Sequence, residues 1–388
     1  MRILLAPDSF KGSLSGPEAA VALQRGLQQC NMPPWPKAQF KMMPLADGGE
    51  GTADTLVQAT GGQWINQQVT GPLGDAITAR FGMLGDGQTA IVEMALASGL
   101  ELLASHQLDP SRTTSRGTGE LIRSALDAGC KRLIVAIGGS ATNDGGMGMA
   151  SALGVKFYDD EGNVLPDGGG VLGRLKTVDM QNIDARLATV DIVVAYDVDN
   201  PLLGERGATH VYAPQKGANA AMVDDLERGM RHYARIVERT IGRTIAMRSG
   251  AGAAGGLGFA FMAFCNATLQ PGFSIVSEIV KLPEAIRQCD VVITGEGRID
   301  SQTMHGKVVA GVGRLAKQYE KPVIAVAGDV AYDADDLIPH FLTTVVPIVP
   351  APYSLHKALE EAPLLLEKTA QRIAALISIG GTLKYRRE

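Results

Sequence analysis

The sequence predicts an α/β protein of two domains, and three observations carry that expectation. Short apolar runs of strand type end in polar, glycine-bearing loops, as where Ile3-Leu4-Leu5-Ala6-Pro7 leads into Asp8-Ser9-Phe10-Lys11-Gly12-Ser13. The 47 glycines and 5% aromatic residues suit many tight strand-to-helix turns better than a β-sandwich or a disordered chain. At 388 residues the chain is longer than one ordinary core accommodates.

Along the chain, Ser15 with Glu18 three residues later makes a capping-box signature, and Ala19, Ala20, Val21, Leu23 and Leu27 follow at helical spacing. Lys41 to Leu45 reads as a second strand, after which Ala46-Asp47-Gly48-Gly49-Glu50-Gly51-Thr52 turns into a helix around Ala53 to Ala59. From Gln63 to Leu103 the texture changes to alternating segments such as Ile77 to Leu84, separated by Gly-Asp-Gly, which fits β-hairpins. Thr118 to Ala128 is an amphipathic helix, followed by a strand at Leu133 to Ile137 and a helix from about Met147 to Leu153. Val190 to Ala195 reads as a strand and Asn219 to Ile241 as a long helix with a charged outer face.

The segment from Val291 to Val326 reads strand, loop, helix, strand, a parallel unit with a right-handed crossover. Its end, Val323 to Asp329, has the texture of the N-terminal strand, and Leu359 to Ile379 closes the chain as an amphipathic helix. The expected map therefore gives residues 1–70 plus 285–388 to one doubly wound, flavodoxin-like (Rossmann-like) parallel sheet. Residues 71–284 form an inserted mixed α/β domain, with the active site in the cleft.

Acids outnumber bases 41 to 36, which excludes the basic stripe that nucleic-acid binders need. Cys30, Cys130, Cys265 and Cys289 lie far apart with no CxxC pair, so buried, reduced thiols are expected. The N-terminal apolar run is too short for a secretory signal and no segment has the length of a membrane span. A cytoplasmic protein without membrane partners is the expectation, and the sequence leaves room for a homo-oligomer.

In open α/β sheets ligands sit beyond the carboxyl ends of the strands, which makes the strand-end loops the candidate sites. The most informative is Val291 to Asp300, read as a buried strand that breaks at Gly295 and delivers Glu296, Arg298 and Asp300, with Thr303 and Gly306-Lys307 beyond. Arg298 offers a planar fork for a carboxylate or phosphate, and Lys11 supplies a countercharge beside Asp8 and Ser9. Asp47 and Glu50 stand in glycine-rich sequence that leaves them open to a ligand. Gly138-Gly139-Ser140 sits where a strand hands over to a helix, so backbone N–H groups and the helix dipole can cradle a phosphate. Asn143 and Asp144 could cap that helix or help hold a metal. Asp197 and Asp199, alternate residues past a strand, could share Mg²⁺, although Asp-x-Asp-Asn-Pro also suits a turn. Gln215-Lys216-Gly217 completes the polar inventory. Gly250-Ala251-Gly252-Ala253-Ala254-Gly255 matches GxGxxG but lacks a preceding strand and the following acid, so close packing explains it better than a dinucleotide.

Ala6 to Ser13, Ala46 to Thr52, Ile137 to Gly146, Ala213-Pro214-Gln215-Lys216-Gly217-Ala218 and Thr294 to Asp300 together resemble the motifs of the bacterial glycerate kinase family. The resemblance runs in order from the first residues to about Asp329. It implies ATP- and Mg²⁺-dependent phosphorylation of D-glycerate by two α/β domains, with 2-phosphoglycerate the favoured product and a place in glyoxylate and sugar-diacid breakdown. The residues agree, since phosphoryl transfer needs positioning, a metal, cations on the moving charge and a base near the hydroxyl. The expected roles give the nucleotide phosphates to Gly138, Gly139 and Ser140, with Asn143, Asp144 and Lys216 nearby. Glycerate's carboxylate goes to Ser9, Lys11 and Arg298, with Asp8 and Glu296 beside the substrate. Asp47 is the preferred hydroxyl-orienting base, Asp300 its rival, and Asp197 with Asp199 the metal pair. A sensor of small acids and a nicotinamide dehydrogenase are the competing classes.

Overall fold

The structure, a computed structural model, describes residues 1–300, 303 and 308–385. The chain divides into two compact units, Met1–Asp47 with Phe273–Glu388, and Gly48–Gly272. In chain order the first unit opens with β1 (Arg2–Leu5), α1 (Gly16–Gln28) and β2 (Gln39–Met42). The capping box at α1 forms as expected, with Ser15 and Glu18 each accepting from the other's backbone.

The second unit contains α2 (Thr52–Thr60), β3 (Gln63–Thr70), β4 (Ala76–Met83), β5 (Thr89–Glu93) and α3 (Arg116–Asp127). It continues through β6 (Arg132–Ala136), α4 (Met147–Ala152), β7 (Lys156–Tyr158), β8 (Thr177–Asp179) and β9 (Asp191–Tyr196), then α5 (Ala220–Ile241), α6 (Ala253–Phe264) and β10 (Thr268–Pro271). The first unit resumes with β11 (Val291–Ile299), α7 (Val308–Gln318), β12 (Val323–Val330), β13 (Thr344–Pro347) and α8 (Leu355–Tyr385).

The sheet of the first unit has the order β13-β12-β11-β1-β2, and every neighbouring pair is parallel. Renumbered within the unit this is 2-1-3-4-5, the flavodoxin-like arrangement. Strands from both chain ends thus share one sheet. Ile3, Leu5, Ile293 and Val326 form its buried core with Leu23, Leu27, Leu366 and Ala370. Trp35 fastens the final helix by donating its indole N–H to the Ala374 carbonyl at 2.8 Å.

In the second unit the order β10-β9-β6-β5-β4-β3 is mixed: the first four strands run parallel, and β3, β4 and β5 pair antiparallel as a meander. The units part at Asp47/Gly48 and Gly272/Phe273, whereas the composition change suggested residues near 70 and 285. The hairpin texture begins at β3, but α2 precedes it in the same unit, packed on the same hairpin: Val57 lies against Gly82 of β4. The second strand also lies earlier than Lys41 to Leu45, because Gln39–Met42 is the stretch in register with β1.

Candidate active site

In the first unit the sheet's connections leave in opposite directions from β1 and β11, which is the topological switch point where open sheets hold ligands. The loop after β1 is pinned there. Asp8 N–H donates to the Gly295 carbonyl at 2.8 Å, and Phe10 and Leu14 exchange backbone hydrogen bonds across a tight turn that needs Gly12 at φ +77°. A cavity of about 900 Å³ opens beside it, lined at its polar end by Ser9, Lys11, Asp47, Glu296, Arg298 and Asp329.

β11 does not break at Gly295. It continues in register with β12 as far as Ile299, so Glu296 and Arg298 are strand residues on the same side of the sheet. Gly295 is needed for a different reason: a Cβ there would lie 2.4 Å from the Val326 carbonyl oxygen. Glu296 is buried and accepts from the Thr303 hydroxyl at 3.0 Å, while the exposed guanidinium of Arg298 pairs with Asp300 at 3.2 Å and Asp329 at 3.3 Å. Gly306 and Lys307 lie outside the described residues.

Asp8 is buried and accepts from the Ser9 N–H at 2.6 Å. Burial, with the Asp47 charge next and Glu296 further behind, holds its carboxyl well above the ordinary carboxylate range. The first unit therefore gathers Asp8, Asp47 and Glu296 against Lys11 and Arg298. Such a place favours an anion on the cations and a proton or cation among the acids.

In the second unit the loop after β6 runs from Ile137 to Gly146. Gly138 and Gly139 are its accessible part, and Gly139 takes φ +73°. The expected phosphate cradle on the helix dipole is not available: α4 is six residues long, and its first amides belong to Asp144, which accepts from Gly146 N–H at 3.0 Å and Gly148 N–H at 3.2 Å. Asp144 also accepts from Ser115 N–H and Oγ at 2.9 and 2.8 Å. Neither Asn143 nor Asp144 presents surface to a ligand, both being 0% exposed. Lys216 is also internal, 2% exposed, and its Nζ donates to Ser140 Oγ at 2.6 Å and to the Thr142 carbonyl at 2.8 Å. Burial pulls its amine down from 10.5 to about 7, against the opposing charge of Asp144. The GxGxxG stretch buttresses the same loop from behind, since a Cβ at Gly255 would lie 1.9 Å from the Thr142 carbonyl.

The sequence profile of the glycerate kinase family matches residues 3–378. The chain belongs to that family. It is 49% identical over 383 residues to the glycerate kinase of Bacillus subtilis (strain 168), covering 99% of both chains. It is 46% identical over 380 residues to the glycerate 2-kinase of Escherichia coli (strain K12), covering 98% of this chain and 99% of that one. A crystal structure assigned as glycerate kinase 2 from Salmonella typhimurium LT2 superposes with a TM-score of 0.87 at 45% identity, covering 98% and 99% of the two chains.

As a member of the glycerate kinase family the chain is a phosphotransferase, and the dehydrogenase reading falls away. Asp197 and Asp199 emerge exposed just past β9, where Asp199 pairs with Arg206 at 3.4 Å. Their charges, after burial, help push the Tyr212 phenol up to about 12. Among the described residues no group of three or more His, Cys, Asp or Glu is arranged to hold a metal. Two carboxylates are nevertheless a suitable donor set for Mg²⁺, which is held by one or two carboxylates together with waters and substrate phosphates.

Two residues in this glycerate kinase fold escaped the sequence reading. Asp329, at the end of β12, shares Arg298 with Asp300, and only the parallel register of β11 with β12 brings them together. Glu93, at the end of β5, accepts from Gly51 and Ala53 N–H groups and so locks the loop after Asp47. An acid closing the apolar run Ala90-Ile91-Val92 was the available signal. All four cysteines are buried and unpaired, and among the described residues no helix is long and apolar enough to cross a membrane.

Proposed function

We propose that this enzyme phosphorylates D-glycerate with ATP and Mg²⁺ in the cytoplasm, giving 2-phosphoglycerate in preference to the 3-phosphate, within glyoxylate and sugar-diacid breakdown. The observation that carries the reading is the polar end of the first unit's cavity, where Lys11 and Arg298 stand with Asp47 and Glu296, and the buried Asp8 lies within reach of both of those acids' charges. Two cations beside carboxylates suit a substrate that is an anion at one end and gives up a hydroxyl proton at the other. The relatives named glycerate kinase and glycerate 2-kinase support that substrate and the 2-phosphate product.

Ser9, Lys11 and Arg298 take the carboxylate of glycerate. Asp47 orients the reacting hydroxyl and receives its proton. Asp300 is the weaker candidate for that role because it already holds Arg298. Asp8, whose carboxyl favours the proton, and Glu296, steadied by Thr303, shape the substrate end of the cavity. Gly138, Gly139 and Ser140 take nucleotide phosphates through backbone and hydroxyl donors, with Lys216, Asn143 and Asp144 fixing that loop from inside. Asp197 and Asp199 would hold Mg²⁺, which when bound neutralises charge on the phosphate oxygens.

Purified protein supplied with ATP, Mg²⁺ and D-glycerate should form ADP only when all three are present, and phosphorus NMR of the product should show the 2-phosphate. Binding of glycerate without ATP turnover would favour the sensor. Turnover with a different hydroxy acid and not with glycerate would overturn the substrate.

A further inference from the structure

The same cavity has a second half that glycerate does not explain. About 900 Å³ is the size of a pocket for a drug-sized ligand, and beyond the polar end its wall is apolar, formed by Val330, Ile348, Val349, Tyr353, Leu355 and Leu359. Every carbon of glycerate bears an oxygen, so this acid has no apolar face to offer such a wall. The other substrate of a kinase does. The base of a nucleoside triphosphate is a flat heterocycle whose faces gain from burial against aliphatic and aromatic side chains, and whose edges stay polar.

One side chain of this wall is open to solvent. Leu355 is 75% exposed at the start of α8, which is costly for a side chain beside an open cavity. The Lys357 ammonium stands 4.4 Å from the Tyr353 ring centroid, a cation–π contact that favours this ring position. The polar end of the same cavity lies at the switch point of the 2-1-3-4-5 sheet, so the apolar half continues outward from a position where open sheets hold ligands.

We propose that the apolar half of the first unit's cavity, between the ends of β12 and β13 and the start of α8, seats the purine base of the nucleoside triphosphate. This rests on the ATP-dependent reading above and adds the place of the base. It is independent of which loop takes the triphosphate.

Ala358, half-buried on α8 and part of this wall, can be enlarged without opening the core. Ala358→Trp should raise KM for ATP by about tenfold or more while KM for D-glycerate stays within about twofold. Leu355→Asp, at a position too exposed to threaten folding, should weaken ATP in the same direction. Adenosine, used as a probe in calorimetry, should bind the wild type and lose that binding in both variants. A rise in KM for D-glycerate alone would give the wall to the acceptor and overturn the proposal, as would unchanged KM for ATP in both variants. Absence of any wild-type turnover with ATP and glycerate would instead refute the kinase reading, which keeps the two failures apart.

Discussion

Glu93→Gln should make the stability of the second unit less dependent on pH, and the size of the effect follows from where that carboxyl sits. Glu93 is 2% exposed at the end of β5, and it accepts from Gly51 N–H at 3.0 Å and Ala53 N–H at 3.1 Å. Burial pushes its carboxyl from 4.5 up to about 7 and outweighs the opposing pull of those two hydrogen bonds, with the charges of Asp54 and Glu50 adding to the push. Below 4.5 both folded and unfolded chains hold the proton and the residue costs nothing; above about 7 both have lost it and the cost is complete. At roughly 1.4 kcal/mol per pH unit, the wild type loses about 3 kcal/mol as pH rises across that window. Glutamine stays neutral and escapes this loss. Its amide nitrogen cannot accept, so one backbone hydrogen bond goes, at about 1 kcal/mol. The variant should therefore be the less stable protein near pH 4.5 by about 1 kcal/mol and the more stable one near pH 8 by up to about 2 kcal/mol. Urea unfolding followed by tryptophan fluorescence at several pH values measures this, because Trp64 lies on β3 in the same unit. A difference between variant and wild type that stays constant from about pH 5 to pH 8 would refute the reasoning, since only the titration of Glu93 makes it change sign.

Lys11→Ala and Arg298→Ala should each lower kcat/KM for glycerate by about tenfold or more in steady-state assays, because charge-assisted hydrogen bonds are worth roughly 1.5 to 3 kcal/mol. Wild-type kinetics in both would return these two residues to the solvated surface. Lys216→Met removes the donors that Ser140 and Thr142 receive, and KM for ATP should rise if that loop takes phosphate. Because burial holds the Lys216 amine near 7, below its unfolded 10.5, its charging cost is greatest below about 7 and fades toward 10.5. Thermal unfolding should then show the methionine variant comparing best with the wild type at low pH and worst near pH 10. The opposite order would mean that the lysine is stably charged inside the fold.

Local chemistry made much of this protein legible in its sequence. The Ser15 and Glu18 capping box, the hairpin texture of β3 and β4, and the helix of α5 are decided within a few residues by hydrogen bonds and apolar spacing, so they read off the chain directly. The polar loops at strand ends were visible for the same reason, and so was the sharing of one sheet by both ends of the chain, since β1 and β12 have the same texture.

What the sequence could not decide is how tightly each polar group is enclosed. Asp144, Asn143 and Lys216 look like loop residues open to a ligand, yet neighbouring segments close over them: Ser115 from α3's start, Thr209 before α5, and the glycines of α6. Gly295 looks like the end of a strand, but the approach of β12 shows it to be a place where no side chain fits. Periodicity and turn chemistry are properties of short stretches and can be read one residue after another. Burial, ion pairing such as that of Arg298 with Asp329, and the shifted acidity of Asp8 and Glu93 depend on residues brought together across tens to hundreds of positions, and only the tertiary structure settles them.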